Sequence, residues 1–382
     1  MILSKTILPI ILPSIAGLSI TLPFIDGAVT FVIDGNQRTS FRIDTGSARF
    51  FAFYGPEYEK QKGAGSCAKI KACYFCTVAN PCDDIFQREQ WHVAFGDFTA
   101  YTYVRHTVSA TVGGILIPDI EMGLAISASH GFDNDPFSAG LLGLLKGRTG
   151  IPETFLDQLL SRNLISSHSY WVHTTGNIQS FAGSITLGGI PKAEMKASRV
   201  VHMSRDLVYF SRTISIPLWP VRLISQKGHL LTRQWMTLTG RQQDGPLPAI
   251  LDTGCKGIFM SDPDFNEFFR VAKKHLFDIP GSSDYYIKEG DLHNLPTLVY
   301  QIGESPNQMD IRIKPKHYVR YCGKDGYCLL LVTSTNKTDQ YDLGEPLFYA
   351  YDVGFQFSGK HPAVYFRRND AEYATLGEFD ST

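Results

Sequence analysis

The chain lacks a strong net charge, a long unbroken apolar run and any metal-ligand spacing among its histidines. Lys and Arg number 36 against 37 Asp and Glu, a formal charge of -1. No global field therefore draws in nucleic acid or another polyanion. The most apolar stretch, Met1 to Ile20, is interrupted by Pro9, Pro13 and Gly17. It is too short and too broken for a membrane-spanning helix, and reads either as a secretory signal or as the approach to the first strands. His92, His106, His130, His168, His173 and His202 fall at no spacing that a metal site uses. No metal, nucleotide or other cofactor is implied.

What is present favours β structure. A chain of 382 residues can bury large cores and divide into two lobes. Its 34 Gly, 20 Pro and 12% aromatics, with many Val, Ile, Thr and Tyr, suit strands joined by frequent turns. Leu18 to Phe24 and Ala28 to Ile33 read as the opening strands. A helix is expected from Pro152, with Phe155, Leu156, Leu159, Leu160 and Leu164 on one face. A second is expected after Ser261, with Asp264 completing a capping box. Ile214 to Ile224 and Gln234 to Leu238 read as strands, and 190–205 as a charged connection.

One phrase occurs twice: Ile43-Asp44-Thr45-Gly46-Ser47 and Leu251-Asp252-Thr253-Gly254-Cys255. Each reads as a strand delivering an Asp into a tight Gly turn. Two copies suggest related halves that each give one carboxylate to a shared site. Carboxylates held a few Å apart cannot easily both ionise, so the pair shares a proton. One member can then act as base on a water while the other protonates a carbonyl oxygen.

On these motifs the chain resembles the pepsin-like aspartic proteases. The resemblance implies a mainly β, bilobal fold with pseudo-twofold symmetry and a few short helices. It implies a first lobe over 1–195 with Asp44 and a flap near 91–101, and a second over 196–382 with Asp252. Asp44 and Asp252 become the catalytic dyad. Thr45 and Thr253 become the interlock between lobes, with Gly46, Ser47, Gly254 and Cys255 in support. Ala139-Gly140-Leu141-Leu142-Gly143-Leu144 and Tyr341-Asp342-Leu343-Gly344 resemble the apolar-Gly segments that thread beneath the two turns.

Several positions depart from the family pattern. Trp91-His-Val-Ala-Phe95-Gly96-Asp97 resembles the flap, yet Phe95 and Phe51 stand where the family has a Tyr and a Trp joined by hydrogen bonds. Asp97 adds a third carboxylate above the dyad, and Asp342 occupies an apolar place beside Leu343. Phe51, Phe95, Gly96, Asp97, Asp342 and Leu343 are the candidate substrate contacts. Cys255 replaces a hydroxyl residue, so Asp252 loses a donor and its pKa should rise. Ala48 replaces a Ser common in the family. The 36 basic residues tell against adaptation to strong acid, and little room precedes Asp44 for an inhibitory prosegment.

Cys67, Cys73, Cys76 and Cys82 fit two disulfides, a four-thiolate zinc site, or free or partly paired thiols. Cys322 and Cys328 flank a turn that suits a local bridge, leaving Cys255 odd. Asn336-Lys-Thr338 is the one glycosylation sequon. Three functions fit. The first is an aspartic endopeptidase acting as a monomer on a peptide. The second is a non-proteolytic enzyme using the dyad for cyclisation or rearrangement of a small molecule. The third is an inactive binding or inhibitory protein.

Overall fold

A computed structural model of the chain describes residues 18–96, 98–132, 139–209, 213–232, 246–278, 284–335, 341–358 and 362–369. Asp97, the sequon at Asn336, the strand expected over Gln234 to Leu238 and most of Met1 to Ile20 lie outside them. The fold is mainly β and bilobal. Among the described residues no helix is long and apolar enough to cross a membrane.

The same strand arrangement occurs twice. In an eight-stranded sheet, Gly140–Gly143 inserts between Gln37–Asp44, to which it is parallel, and Phe50–Tyr54, to which it is antiparallel. In a nine-stranded sheet, Tyr341–Leu343 inserts between the parallel Leu247–Leu251 and the antiparallel Ile258–Met260. Both inserted strands are the apolar-Gly segments, and each lies beside the strand that ends at an Asp-Thr-Gly turn. A third sheet has six antiparallel strands drawn from the beginning, middle and end of the chain. Its order is Ile20–Phe24, Gly183–Leu187, Ser169–Thr174, Tyr351–Gln356, Ala363–Arg368 and Arg199–His202.

Period-two alternation explains the first lobe's core. Phe31 and Ile33 on one strand and Phe41 and Ile43 on the next are fully buried. Phe41 meets Phe31 at 5.2 Å and Phe50 at 5.1 Å between ring centroids, and Phe50 meets Phe155 at 5.0 Å. Each such ring contributes roughly 1.5–3 kcal/mol by burial. Phe155 comes from the helix Phe155–Ser161, whose Thr154 and Asp157 form a reciprocal capping box. That cap, rather than Pro152, sets the helix start, because it satisfies two backbone N–H groups at once.

Elsewhere local expectation and structure diverge. Ser261 does precede the helix Asp262–Ala272, but its hydroxyl donates to Tyr341 Oη at 2.9 Å instead of capping. Asp264 accepts from Tyr341 Oη at 2.5 Å and from the Val221 N–H at 2.8 Å. The strand expected over 214–224 is two strands, Thr213–Leu218 and Arg222–Ile224. Pro220, between them, has no N–H to continue a ladder. Within 190–205 lie a short helix, Lys192–Ala197, and the strand Arg199–His202, which pairs with Ala363–Arg368.

The cysteine cluster is bridged as Cys67–Cys73 and Cys76–Cys82, which leaves no thiolates there for a tetrahedral zinc site. Cys322–Cys328 closes the third bridge, and Cys255 is free.

Candidate active site

Each Asp-Thr-Gly turn is fixed from beneath by the inserted strand. Leu144 N–H donates to Asp44 O at 2.9 Å, and Asp252 N–H donates to Leu343 O at 3.0 Å. Gly143 N–H reaches Arg49 O at 2.6 Å, and Gly344 N–H reaches Gly257 O at 3.1 Å, the same offset from each Asp. Both glycines are required by space. A Cβ on Gly143 would stand 2.4 Å from Arg49 N, and one on Gly344 would stand 2.3 Å from Cys255 O.

The turns then lock to one another. Thr45 Oγ1 donates to Leu251 O at 2.6 Å and accepts the Thr253 N–H at 2.9 Å. Reciprocally, Thr253 Oγ1 donates to Ile43 O at 2.9 Å and accepts the Thr45 N–H at 3.1 Å. Asp44 accepts the Gly46 N–H at 2.8 Å, and Asp252 accepts the Gly254 N–H at 2.7 Å. Residues 208 apart in sequence are thus arranged about a near-twofold relation. A Cβ on Gly46 would stand 2.6 Å from the Asp252 carboxylate, and one on Gly254 would stand 2.9 Å from that of Asp44.

The two carboxyls lie within hydrogen-bonding reach of each other. Burial pushes Asp44 well above the ordinary carboxylate range, and the neighbouring Asp252 charge pushes it further. Asp252 is also raised by burial, against the Gly254 N–H, the bond from Asp44 and the Arg42 charge. Two buried carboxyls this close favour holding one proton between them over both being ionised.

A model of the eukaryotic aspartyl protease family matches residues 32–361. The chain belongs to this family. Rhizopuspepsin-1 of Rhizopus niveus is 26% identical over 219 residues, 56% of this chain and 50% of that protein. Rhizopuspepsin-2 of the same organism is 25% identical over 220 residues, with the same coverage. The chain spans about half the length of the curated relatives it matches. The crystal structure of an aspartic proteinase from Irpex lacteus superposes with a TM-score of 0.67 at 15% identity, over 94% of this chain and 99% of that one. That likeness speaks to the fold alone.

Against this aspartyl protease framework the remaining candidate residues divide. The hairpin expected to be the flap pairs Gln90–Ala94 with Ala100–Val112 and is closed by the Phe95 N–H bond to Thr99 O at 2.8 Å. Phe95 does not stack on Phe51 directly. Its ring meets Tyr101 at 6.1 Å edge-on, Tyr101 meets Phe51 at 5.3 Å, and Phe51 stacks on Tyr103 at 5.9 Å. Tyr101, which no sequence pattern marked, is the link between Phe95 and Phe51. Phe51 and Leu343 are buried, so both support the site from behind its surface. Gly96, at the tip, has open space around its Cα.

The two residues after the turns serve their own loops. Ser47 Oγ accepts the Arg49 N–H at 3.2 Å, and Cys255 Sγ donates to Gly257 O at 3.2 Å. Burial keeps that thiol well above its ordinary range, with the Asp252 and Asp342 charges adding to the effect.

Two further residues escaped sequence reasoning. Tyr170, fully buried in the six-stranded sheet, is raised by burial and then by the charges of Asp44 and Asp252. Arg42, two residues before Asp44 on the same strand, donates from Nη2 to Glu345 Oε1 at 3.2 Å. Glu345 also accepts from Arg320 and, at 3.0 Å, from Tyr349 Oη. Strand alternation could have placed Arg42 on the same face as Asp44; nothing local pointed to its partner 303 residues away.

Proposed function

We propose that the chain is an aspartic-type endopeptidase that hydrolyses peptide bonds with water activated by Asp44 and Asp252. The observation that carries this reading is the pair of carboxyls brought together from opposite halves, each anchored by its own Gly N–H. In the first step, ionised Asp252 takes a proton from the attacking water while Asp44 donates its proton to the peptide carbonyl oxygen. A tetrahedral diol results without a covalent enzyme intermediate. Collapse reverses the roles: the diol returns a proton to one carboxyl, and the leaving amine takes one from the other. The Thr45–Thr253 interlock holds both groups at the distance this exchange needs.

The same reading divides the chain into a first lobe of 1–195 and a second of 196–382. Because one chain supplies both carboxyls, a monomer suffices. The test is cleavage of a diverse peptide library between pH 3 and 8 by the wild type, Asp44→Asn and Asp252→Asn. We expect cleavage by the wild type and a loss of at least about 1,000-fold in either variant. A folded wild type that cleaves nothing, or a variant that keeps full activity, overturns the proposal.

A further inference from the structure

A groove of about 920 Å³, reaching Arg42, two residues before Asp44, and Lys256, four after Asp252, has an unbalanced lining. Six cationic side chains face it: Arg38, Arg42, Lys69, Lys71, Lys256 and Arg320. Among the described residues, only Asp26 and Glu345 oppose them. Glu345 is already shared by two guanidiniums, Arg42 and Arg320. Arg320 is 3% exposed, and its Nε makes no hydrogen bond among the described residues. Arg38, Lys69, Lys71 and Lys256 enter no ion pair among the described residues. Burial and the Arg42 and Arg320 charges hold Lys256 below the ordinary lysine range.

Strand geometry gives the groove a direction. On Gln37–Asp44, Thr39, Phe41 and Ile43 are buried in the lobe, so Arg38, Ser40 and Arg42 project from the opposite face. Side chains on that face recur every ~7 Å, and Arg38 lies about 13 Å from Arg42 along the strand. The Ser40 N–H donates to Lys71 O at 2.6 Å, which sets Lys71 beside the middle of this row. The row ends two residues short of Asp44, and the Arg42 charge acts on both dyad carboxyls. A single small anion would answer one end of such a row. An extended chain, whose alternate side chains also recur every ~7 Å, matches its length.

We propose that this groove binds an extended acidic peptide segment, leading its carboxylates along Arg38, Lys71 and Lys256 toward the dyad. Assigning that segment to a substrate rests on the endopeptidase reading; the binding itself does not. The test uses full-length Asp252→Asn protein, so that no cleavage is needed. Binding of acetylated hexaglutamate, hexaserine and hexalysine amides and of inorganic phosphate is measured by calorimetry. We expect hexaglutamate to bind at least about 10-fold more tightly than hexaserine, and more weakly as salt rises. Hexalysine should not bind detectably.

Adding Lys256→Glu or Arg38→Glu should cost at least about 10-fold in hexaglutamate affinity without changing the circular dichroism. Equal binding of hexaglutamate and hexaserine, or indifference to both charge reversals, overturns the proposal. So does phosphate binding as tightly as hexaglutamate, which would make this a free-anion site. Hexaglutamate binding in a protein that cleaves no peptide would keep the groove and remove the endopeptidase.

Discussion

A single methyl group placed under a turn should disable the site without touching any group that titrates. In Gly143→Ala the new Cβ would stand 2.4 Å from Arg49 N and 2.6 Å from both Arg49 O and Ser47 O. Ordinary contacts lie near 3.5 Å, so the backbone at 47–49 must retreat by about 1 Å. That segment continues directly from Asp44-Thr45-Gly46, and its retreat pulls on the loop that aims the first carboxyl. A misplacement of ~1 Å in a catalytic group costs on the order of 100-fold in rate. The strain itself should cost about 1–3 kcal/mol. Gly344→Ala should behave alike, because its Cβ would meet Cys255 O and Gly257 O at 2.3 Å. Gly290→Ala, where a Cβ meets nothing within 4 Å, is the control. The assay is kcat/KM on a cleaved library peptide, with thermal melting in parallel. Wild-type kcat/KM and an unchanged melt for Gly143→Ala would refute the reasoning.

Other outcomes follow from the buried polar groups. Thr45→Val keeps the shape but leaves Leu251 O and the Thr253 N–H without their partner; we expect a loss of about 2–4 kcal/mol in urea unfolding. Glu345→Gln removes the carboxylate charge that two buried guanidiniums share and should cost about 3–5 kcal/mol by the same measurement. Burial raises Asp264 to about 6 against the lowering bonds from Tyr341 and Val221. The folded state then binds the extra proton, so its contribution is full below the ordinary carboxylate pKa and is lost as pH rises toward 6. Asp264→Asn should remove that slope and gain roughly 3 kcal/mol over the wild type between pH 4 and 6.5. Asp44 is raised likewise, so Asp44→Asn should stabilise the protein more at pH 7 than at pH 3, read as a shift in melting temperature.

The parts of this molecule legible in its sequence are those encoded within a few residues. The Asp-Thr-Gly turns, the apolar-Gly strands and the aromatic hairpin at 90–112 each carry their signal in a short window. Their pairing could be inferred because the window recurs. The disulfides needed the fold to choose among pairings. Three things had no local signature. Arg199–His202 joins a sheet with residues 363–368, a contact that depends on tertiary closure. Glu345 looked like an ordinary polar residue after Gly344, but it neutralises arginines from 25 and 303 residues away. Tyr101 looked like one more strand aromatic, and only the hairpin's register sets it between Phe95 and Phe51. The helix at 155–161 shows the converse, a local competition in which a Thr–Asp cap outweighed a nearby Pro.

The most direct measurement is the pH dependence of kcat/KM on a cleaved peptide, for the wild type and both Asp→Asn variants. A dyad with one shared proton should give a bell-shaped profile with two apparent pKa values belonging to the pair. Both limbs should vanish with the activity in Asp44→Asn and in Asp252→Asn. A profile that falls on one side only, or one that survives either substitution, would contradict the account of Asp44 and Asp252 as a proton-sharing pair.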